Sequence, residues 1–351
     1  MDEYRIALIP GDGVGVEVTD GAWLVLEAAS EKFGFKLISE RFDWSCEYYL
    51  KNGQMMPGNG IELLRGFDSI LLGAVGWPAQ VPDSVSLHGL LLPIRKAFDL
   101  YVNARPHKIL KGTSGPLKAE KFDILCIREN TEGEYSGAGG RVHVGTRDEV
   151  AVETSIFTRR GVERILRYGF EQAQKRSGRL ASVTKSNAQK HSMVFWDEVT
   201  DEVAGDYPDV DVKRYHIDAI AARFVMQPET LDVVVASNLF GDILTDLGAA
   251  IQGGLGFAAS ANVNPAGGVP SMFEPVHGSA PDIAGRGIAN PLAAIWSGAL
   301  MLDHLGEHVA AKAILLAIEA VTSSGALKGA DQGGNSTTQE IAAGVKRELL
   351  R

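Results

Sequence analysis

Short apolar runs alternate along the chain with segments that carry apolar residues at helical spacing. Helical spacing predicts helices from Val14 to Ala29, between Thr158 and Gly178, and from Val309 to Val321. Buried strands are predicted at YRIALI (4–9) and DSILLGAVG (68–76), and further strands at FDILCI (122–127), LASVTK (180–185), VDVKRYH (210–216) and LDVVVAS (231–237). This alternation is typical of an α/β protein whose sheets are covered on both faces.

The segment 134–158 departs from that pattern. It has period-2 stretches and many glycines but no helical stripe. The pattern predicts a β arm or hairpin. A surface loop and a dimerisation element both remain open as its role.

Composition narrows the class of protein. The 351 residues, 45% of them hydrophobic, suffice for two domains or one large one. The acidic N-terminus lacks the features of a signal peptide, and Cys46 and Cys126 are the two cysteines. A cytoplasmic location without disulfides is therefore expected. The net charge of −10 argues against nucleic acid or an anionic membrane as a partner.

Two Gly-rich stretches are candidates for a nucleotide-binding site. GDGVG (11–15) follows the first strand, but Val16 stands where the Gly-x-Gly-x-x-Gly fingerprint needs its last glycine. A tight turn is therefore favoured there over a dinucleotide site. The second stretch is HGSAPDIAG (277–285).

A pair of acids marks a candidate metal site. Asp242 and Asp246 are four residues apart in a helix predicted to begin at an Asn238 cap, so they share one face. A solvated acidic face is the simpler interpretation. The strongly apolar surroundings instead favour burial with a cation, and oxygen ligands favour Mg²⁺ or Mn²⁺. Asp218, which follows another strand, is a candidate third ligand.

Three arginines, Arg95, Arg105 and Arg128, lie near predicted element ends. Each alone fits a surface salt bridge. Together they could clamp carboxylates, because a guanidinium matches a carboxylate bidentately. Spacing alone does not show that they converge.

Motifs through nearly the whole chain then match one family. The chain resembles the metal-dependent β-decarboxylating dehydrogenases, of the isocitrate/isopropylmalate dehydrogenase type. The matching motifs are IPGDGVGVEV, LLGAVG, IRKAFDLYVNARP, RENTEGEYSG, VTKSN, YHIDA, NLFGDILTDLGAAIQGGLG and FEPVHGSAPDIAGRGIANP.

The resemblance implies an isopropylmalate-dehydrogenase-like two-domain α/β fold, not a Rossmann domain. A discontinuous cofactor-binding domain would span 1–99 with 255–351. A substrate and dimerisation domain would span 100–254 and carry the β arm at about 134–158. The homodimer would share its active sites, with Lys185 and Asp218 supplied by the partner chain.

The resemblance also places the nucleotide on the later Gly-rich stretch, with GDGVG near the nicotinamide and substrate. NAD is favoured because Asp282 would accept hydrogen bonds from the ribose hydroxyls. NADP-dependent relatives carry Lys and Tyr at the positions of Asp282 and Ile283. The expected cofactor-binding residues are His277, Gly278, Ser279, Ala280, Asp282, Ile283, Asn290 and Glu274. Asp331 is a weaker candidate for the adenosine half.

The implied chemistry assigns each remaining residue a role. Asp218, Asp242 and Asp246 would bind Mg²⁺ or Mn²⁺, with a requirement for K⁺ left open. Lys185 would be the general base and Tyr135 would protonate the enol carbon. The substrate-binding residues would be Arg95, Arg105, Arg128, His88 and Leu91.

Substrate choice rests on smaller differences. RENTEGEYSG differs from the usual isopropylmalate motif RELTGGIYFG, and other segments look most like the tartrate/D-malate branch. In SLHGLLLPIRK, however, His88 and Leu90 depart from that branch, and Leu90 to Leu92 face either the substrate or the core. D-malate or tartrate is the predicted substrate, a small dicarboxylic 2-hydroxy acid. The alternatives are 3-isopropylmalate or another 3-substituted malate, and a non-catalytic regulatory homologue.

Overall fold

The computed structural model describes residues 2–119 and 121–351, which form two compact units. Unit 1 comprises residues 1–100, 109–116 and 252–351, and unit 2 comprises 101–108 and 117–251. The strands are β1 (Glu3–Gly11), β2 (Lys36–Arg41), β3 (Ser69–Ala74), β4 (Val102–Lys108), β5 (Asp123–Glu129), β6 (Gly133–Val142), β7 (Val150–Ile156), β8 (Arg179–Thr184), β9 (Asp211–His216), β10 (Val233–Ala236), β11 (Ala259–Val263) and β12 (Ser271–Pro275).

The helices separate most of these strands, as the alternating pattern predicts. They are α1 (Gly15–Phe33), α2 (Cys46–Asn52), α3 (Gly60–Leu64), α4 (Asp83–Ser86), α5 (Leu92–Ala97), α6 (Arg159–Gln174), α7 (Ser192–Ala204), α8 (Ile217–Met226), α9 (Asn238–Gln252), α10 (Leu292–His304), α11 (His308–Ser324) and α12 (Thr338–Leu350). Among the described residues, no helix combines the length and the apolar character needed to span a bilayer.

Unit 1 contains the strand order β2-β1-β3-β12-β11, in which only β11 runs antiparallel to its neighbour. Helices α1, α10, α11 and α12 pack on one another, and α1 and α10 also pack on this sheet. Strand β3 is buried along its whole length, as expected for a strand covered on both faces.

Unit 2 contains the order β4-β5-β10-β8-β9, and the last four of these strands are parallel. The carboxyl ends of β5, β10, β8 and β9 therefore lie at one edge of the sheet. In open α/β sheets this edge is where ligands bind. Beside this sheet, β6 and β7 pair antiparallel, which confirms the predicted hairpin.

Two predicted boundaries are wrong in detail. Thr158 caps α6 by accepting a bond from the Gly161 N–H, as predicted, but the helix ends at Gln174, before Gly178. Gly178, at φ +71°, instead donates its N–H back to the Ala173 carbonyl. Asn238 was predicted to cap α9, yet it is the first helical residue, and its side-chain oxygen accepts from an arginine.

Candidate active site

Helix α9 follows β10 and presents the two predicted acids beside two of the predicted arginines. Arg128 Nη1 donates to Asp242 Oδ1. Arg105 Nη2 lies 3.5 Å from the same oxygen, and its Nη1 lies 3.9 Å from Asp246 Oδ1. The arginine side chains are 3–7% exposed, whereas Asp242 is 37% and Asp246 69% exposed. The buried guanidinium groups of Arg105 and Arg128 thus lie beneath two carboxylates that reach the surface.

Neighbouring side chains hold both arginines in place. Arg128 donates from Nε and Nη2 to Asn238 Oδ1, at 2.9 and 2.6 Å. Arg105 Nη1 donates to Thr245 Oγ1 at 2.6 Å. A Cβ at Gly241 would lie 2.6 Å from Arg128 Cβ, so the glycine lets α9 approach β5 closely.

Tyr135 joins the same cluster. Its hydroxyl donates to Asp242 Oδ2 at 3.2 Å, and its ring lies 5.4 Å from the Arg128 guanidinium carbon. Burial raises the pKa of Tyr135, and the Asp242 carboxylate raises it further, against the opposing charge of Arg128. The phenol therefore keeps its proton at neutral pH, as a proton donor requires.

Lys185 and Asp218 form a second group. Lys185 Nζ donates to Asp218 Oδ1 at 2.5 Å, and this bond is the main reason that the pKa of Asp218 is lowered. The two residues follow the neighbouring parallel strands β8 and β9, which explains their contact. Among the residues that the structure describes, no three Asp, Glu, His or Cys side chains form a metal-binding group. Within one chain, Asp218 therefore does not complete a site with the acids of α9.

The donor chemistry of α9 nevertheless fits a hard divalent cation. Both candidate ligands are carboxylates with oxygens open to solvent, one turn apart on one face. Partial burial raises the pKa of Asp246, Arg105 opposes this, and Asp242 adds to it. A bound cation would stabilise both carboxylates in their ionised form.

In unit 1 the two Gly-rich loops contact each other. The Val14 N–H donates to the Ser279 carbonyl at 2.8 Å, and Ser279 Oγ donates to the Gly76 carbonyl. Gly13 has φ +57°, and a Cβ there would lie 2.0 Å from the Ser279 oxygen. The loops follow β1 and β12, with β3 and its Gly76 loop between them. Both stretches thus form one surface at the carboxyl ends of parallel strands.

The later loop has the features that an adenosine site needs. The Nε2 of His277 is buried and has no hydrogen-bond partner among the described residues. Burial lowers the pKa of His277, which favours a neutral ring that can contact a base. Asn290 Nδ2 donates to Asp331 Oδ2 at 2.9 Å, so the weaker candidate Asp331 lies beside a stronger one.

The rest of this loop is open to solvent or conformationally unusual. Asp282 is exposed and Ile283 partly buried. Gly278 is exposed, and a Cβ there would have no atom within 4 Å. Ala280 has φ +38°, a left-handed conformation that is uncommon outside glycine and often marks functional loops. These properties fit a surface that receives a nucleotide.

Arg95 lies in a buried ion pair. Its Nη2 donates to Glu274 Oε1 at 2.7 Å, and Asn262 Nδ2 donates to the same oxygen at 2.8 Å. Arg95 and Glu274, predicted to bind substrate and cofactor respectively, thus contact each other. Their side chains are only 7% and 9% exposed.

The leucine run divides between core and surface. Leu90 and Leu91 lie in a π-helical turn, Leu87–Leu91, of a kind often found at functional sites, and Leu92 begins α5. Leu90 is fully buried in the core, whereas Leu91 is partly buried and packs at the edge of that core. His88 is exposed. Leu90 is therefore a core residue, whereas Leu91 is partly accessible, as contact with a substrate would require.

Sequence analysis did not predict the contacts that three residues make with this cluster. Asn238 and Thr245 accept bonds from the arginines. Glu134 binds the start of α9. The one signal for Glu134 was its place beside Tyr135 in RENTEGEYSG, where an isopropylmalate-type chain has Ile.

Comparison with known proteins matches the chain to one family. The model of the isocitrate/isopropylmalate dehydrogenase family matches residues 5–345. The chain belongs to this family. The predicted family and α/β fold are thereby confirmed, and the chain is a dehydrogenase.

Similar sequences cover its whole length. A probable tartrate dehydrogenase/decarboxylase of Bacillus subtilis is 53% identical, over 100% of this chain and 99% of its own. The D-malate dehydrogenase (decarboxylating) of Escherichia coli is also 53% identical, over 100% of both chains.

Solved structures agree on the fold. The isocitrate dehydrogenase of Methylococcus capsulatus superimposes with a TM-score of 0.90 at 34% identity, over 99% of this chain and 100% of its own.

Proposed function

We propose that the chain catalyses NAD-dependent oxidative decarboxylation of D-malate, oxidation of a tartrate, or both, with Mg²⁺ or Mn²⁺ as the metal. The cluster of Asp242 and Asp246 with Arg105, Arg128 and Tyr135 carries the proposal. It supplies cation ligands, carboxylate-binding groups and a proton donor together. The two relatives named above, at 53% identity, support the substrate class.

The residues of this chain divide the work as follows. Arg105 and Arg128 bind and orient the substrate carboxylates through their buried, fixed guanidinium groups. Bound NAD⁺ supplies the hydride acceptor, and a divalent cation held by the aspartates supplies Lewis acidity. Lys185 accepts the proton of the 2-hydroxyl, and Tyr135 returns a proton to the carbon that loses carbon dioxide. The balanced reaction converts D-malate and NAD⁺ to a 2-oxo acid, carbon dioxide and NADH.

A homodimer is part of the proposal. Lys185 and Asp218 are in contact, and among the described residues Asp218 forms no three-ligand group with Asp242 and Asp246. We therefore assign Lys185 and Asp218 together to the site of a partner chain. The hairpin also exposes five apolar side chains: Val142, Val144, Val150, Val152 and Ile156. A second chain that covers this hairpin would bury them.

The deciding experiment follows NADH formation with purified protein, NAD⁺ and Mn²⁺. The substrates are D-malate, the tartrate stereoisomers, 3-isopropylmalate and isocitrate, with EDTA and NADP⁺ controls. The highest kcat/KM is expected for D-malate or a tartrate, with loss of activity in EDTA. A preference for 3-isopropylmalate would mean that Leu91 contacts the substrate and would replace the proposed substrate.

A regulatory homologue is the alternative of another class. Titration calorimetry with NADH and Mn²⁺ separates the two. Binding of both, with no turnover of any substrate in the panel, would favour the non-catalytic role.

A further inference from the structure

Glu134 provides the N-terminal contact of α9 from a different element. Its Oε1 accepts from Ser237 Oγ at 2.7 Å, and its Oε2 accepts from the Leu239 N–H at 3.1 Å. Helix α9 has no acidic residue in its first turn. A carboxylate at a helix N-terminus satisfies free N–H groups and is favoured by the helix dipole. Glu134 thus caps the N-terminus of α9, although it belongs to a different element of the structure.

The next residue contacts the same helix one turn further on. Tyr135 donates to Asp242, which lies four positions after the first residue of α9. Successive side chains of a regular strand point to opposite faces. Here the β6–β7 register shifts between Gly133 and Ala138, and this irregularity lets both neighbours reach α9.

The backbone at this point is itself anchored. The Glu132 carbonyl accepts from Asn238 Nδ2 at 3.1 Å, while its carboxylate accepts from the Thr158 N–H and hydroxyl at 2.9 and 2.7 Å. The segment 132–135 is therefore fixed to α6 on one side and to α9 on the other. A shift of Glu134 would move the start of α9 relative to Tyr135 and Arg128.

We propose that Glu134 is a positioning residue that sets where the Asp242 and Asp246 carboxylates lie relative to Tyr135 and Arg128. The inference rests on the proposed function, because the geometry it protects is that of the metal-binding face. Glu134 would act through its contacts with Ser237 and the first turn of α9.

Glu134→Gln tests this, and Glu340→Gln is the matched control. Glu340 accepts from the Thr337 N–H in the capping box of α12, a helix that carries none of the predicted site residues. Both variants remove one carboxylate from a helix N-terminus. The readouts are Mn²⁺ affinity by electron paramagnetic resonance, NADH affinity, kcat and KM, and the midpoint of thermal unfolding.

Glu134→Gln is expected to weaken Mn²⁺ binding and lower kcat by about 10-fold or more, as residues that orient metal ligands do. NADH affinity should not change. Glu340→Gln should lower thermal stability alone. Wild-type Mn²⁺ affinity and kcat in Glu134→Gln, with a stability loss like that of Glu340→Gln, would overturn the inference and leave Glu134 as a helix cap.

Two further variants separate position from charge and guard against misfolding. Glu134→Asp keeps the charge but shortens the reach, so positioning predicts the same loss as Glu134→Gln. Wild-type Mn²⁺ affinity in Glu134→Asp would contradict positioning and favour charge alone. Ser237→Ala removes one of the two contacts and should give a smaller loss of the same kind. If the wild-type protein binds no Mn²⁺, the proposed function and this inference both fail. If the wild-type protein binds Mn²⁺ and the variants bind it equally well, only this inference fails.

Discussion

The backbone N–H of Val14 donates to the carbonyl of Ser279, 2.8 Å away, and so joins two Gly-rich loops that are far apart in sequence. The first loop lacks the Rossmann fingerprint, yet it lies directly against the loop proposed to bind adenosine. The proposed nucleotide surface therefore consists of two stretches that are in contact.

Gly13→Ala should therefore damage both loops. The substitution places a Cβ 2.0 Å from the Ser279 oxygen in a residue at φ +57°. We expect a loss of about 3 kcal/mol or more in the free energy of unfolding, with weaker NADH binding. Urea unfolding and NADH fluorescence titration measure the two effects.

Gly34→Ala is the control for this prediction. Gly34 also has positive φ, at +80°, but a Cβ there meets no atom within 4 Å. It should cost only the conformational strain, about 1 kcal/mol, and leave NADH affinity unchanged. Equal effects in the two variants would show that the contact between the loops is unimportant.

Cofactor choice should follow the exposed Asp282. The double variant Asp282→Lys with Ile283→Tyr removes a carboxylate that would repel a 2′-phosphate and adds a cation that would attract it. We expect kcat/KM to fall with NAD⁺ and to rise with NADP⁺. Glu31→Lys, at an exposed position of α1, makes the same change in net charge and should alter neither value. An unchanged preference in the double variant would remove Asp282 from the cofactor site.

Shared active sites predict complementation between inactive chains. Lys185→Met and Asp242→Asn should each abolish activity, since each removes one part of every site. After mixing, unfolding and refolding together, half of the dimers are mixed and each carries one intact site. About one quarter of wild-type activity should return. No recovery, with dimers present by light scattering, would place all the site residues in a single chain.

Glu129 should make stability depend on pH. The residue is 1% exposed, and burial raises its pKa from 4.5 to about 7 against the bonds it accepts from Thr131 and the Glu132 N–H. Arg164 Nη2 lies 3.8 Å away and donates to Thr131 Oγ1 instead, so its charge offsets the burial only weakly. The folded state therefore holds this proton more tightly than the unfolded state.

The contribution of this proton is fully present below pH 4.5 and is lost as the pH rises through about 7. The difference between the two pKa values corresponds to about 3 kcal/mol. Urea unfolding across this range should show the decline in the wild-type protein but not in Glu129→Gln. Glu340→Gln serves as the control, because the pKa of Glu340 is lowered and its contribution changes only at lower pH. A parallel pH dependence in wild type and Glu129→Gln would contradict the assignment.

The sequence by itself determined the family, the α/β alternation, and those strands and helices that have a clear apolar pattern. Continuous apolar runs such as 231–237 must be buried, and the period-2 pattern of 134–158 favours extended chain, so these strands and the hairpin follow from local pattern. The motifs similarly identified the candidate residues of the site. The local sequence was enough to predict these elements because the hydrophobicity and periodicity of a segment depend only on residues that are neighbours along the chain.

The tertiary structure alone decided which of these residues meet. Arg105 and Arg128 reach Asp242 because β4, β5 and β10 are neighbours in the sheet, which no spacing along the chain reveals. The same holds for Arg95, which Glu274 neutralises from 179 positions away. The sequence likewise predicts that Asn238 caps a helix. In the structure its side-chain oxygen accepts from Arg128, and Glu134 accepts the N–H of Leu239 at the start of α9. Hydrogen bonds and ion pairs depend on distances in space, and strand order sets those distances.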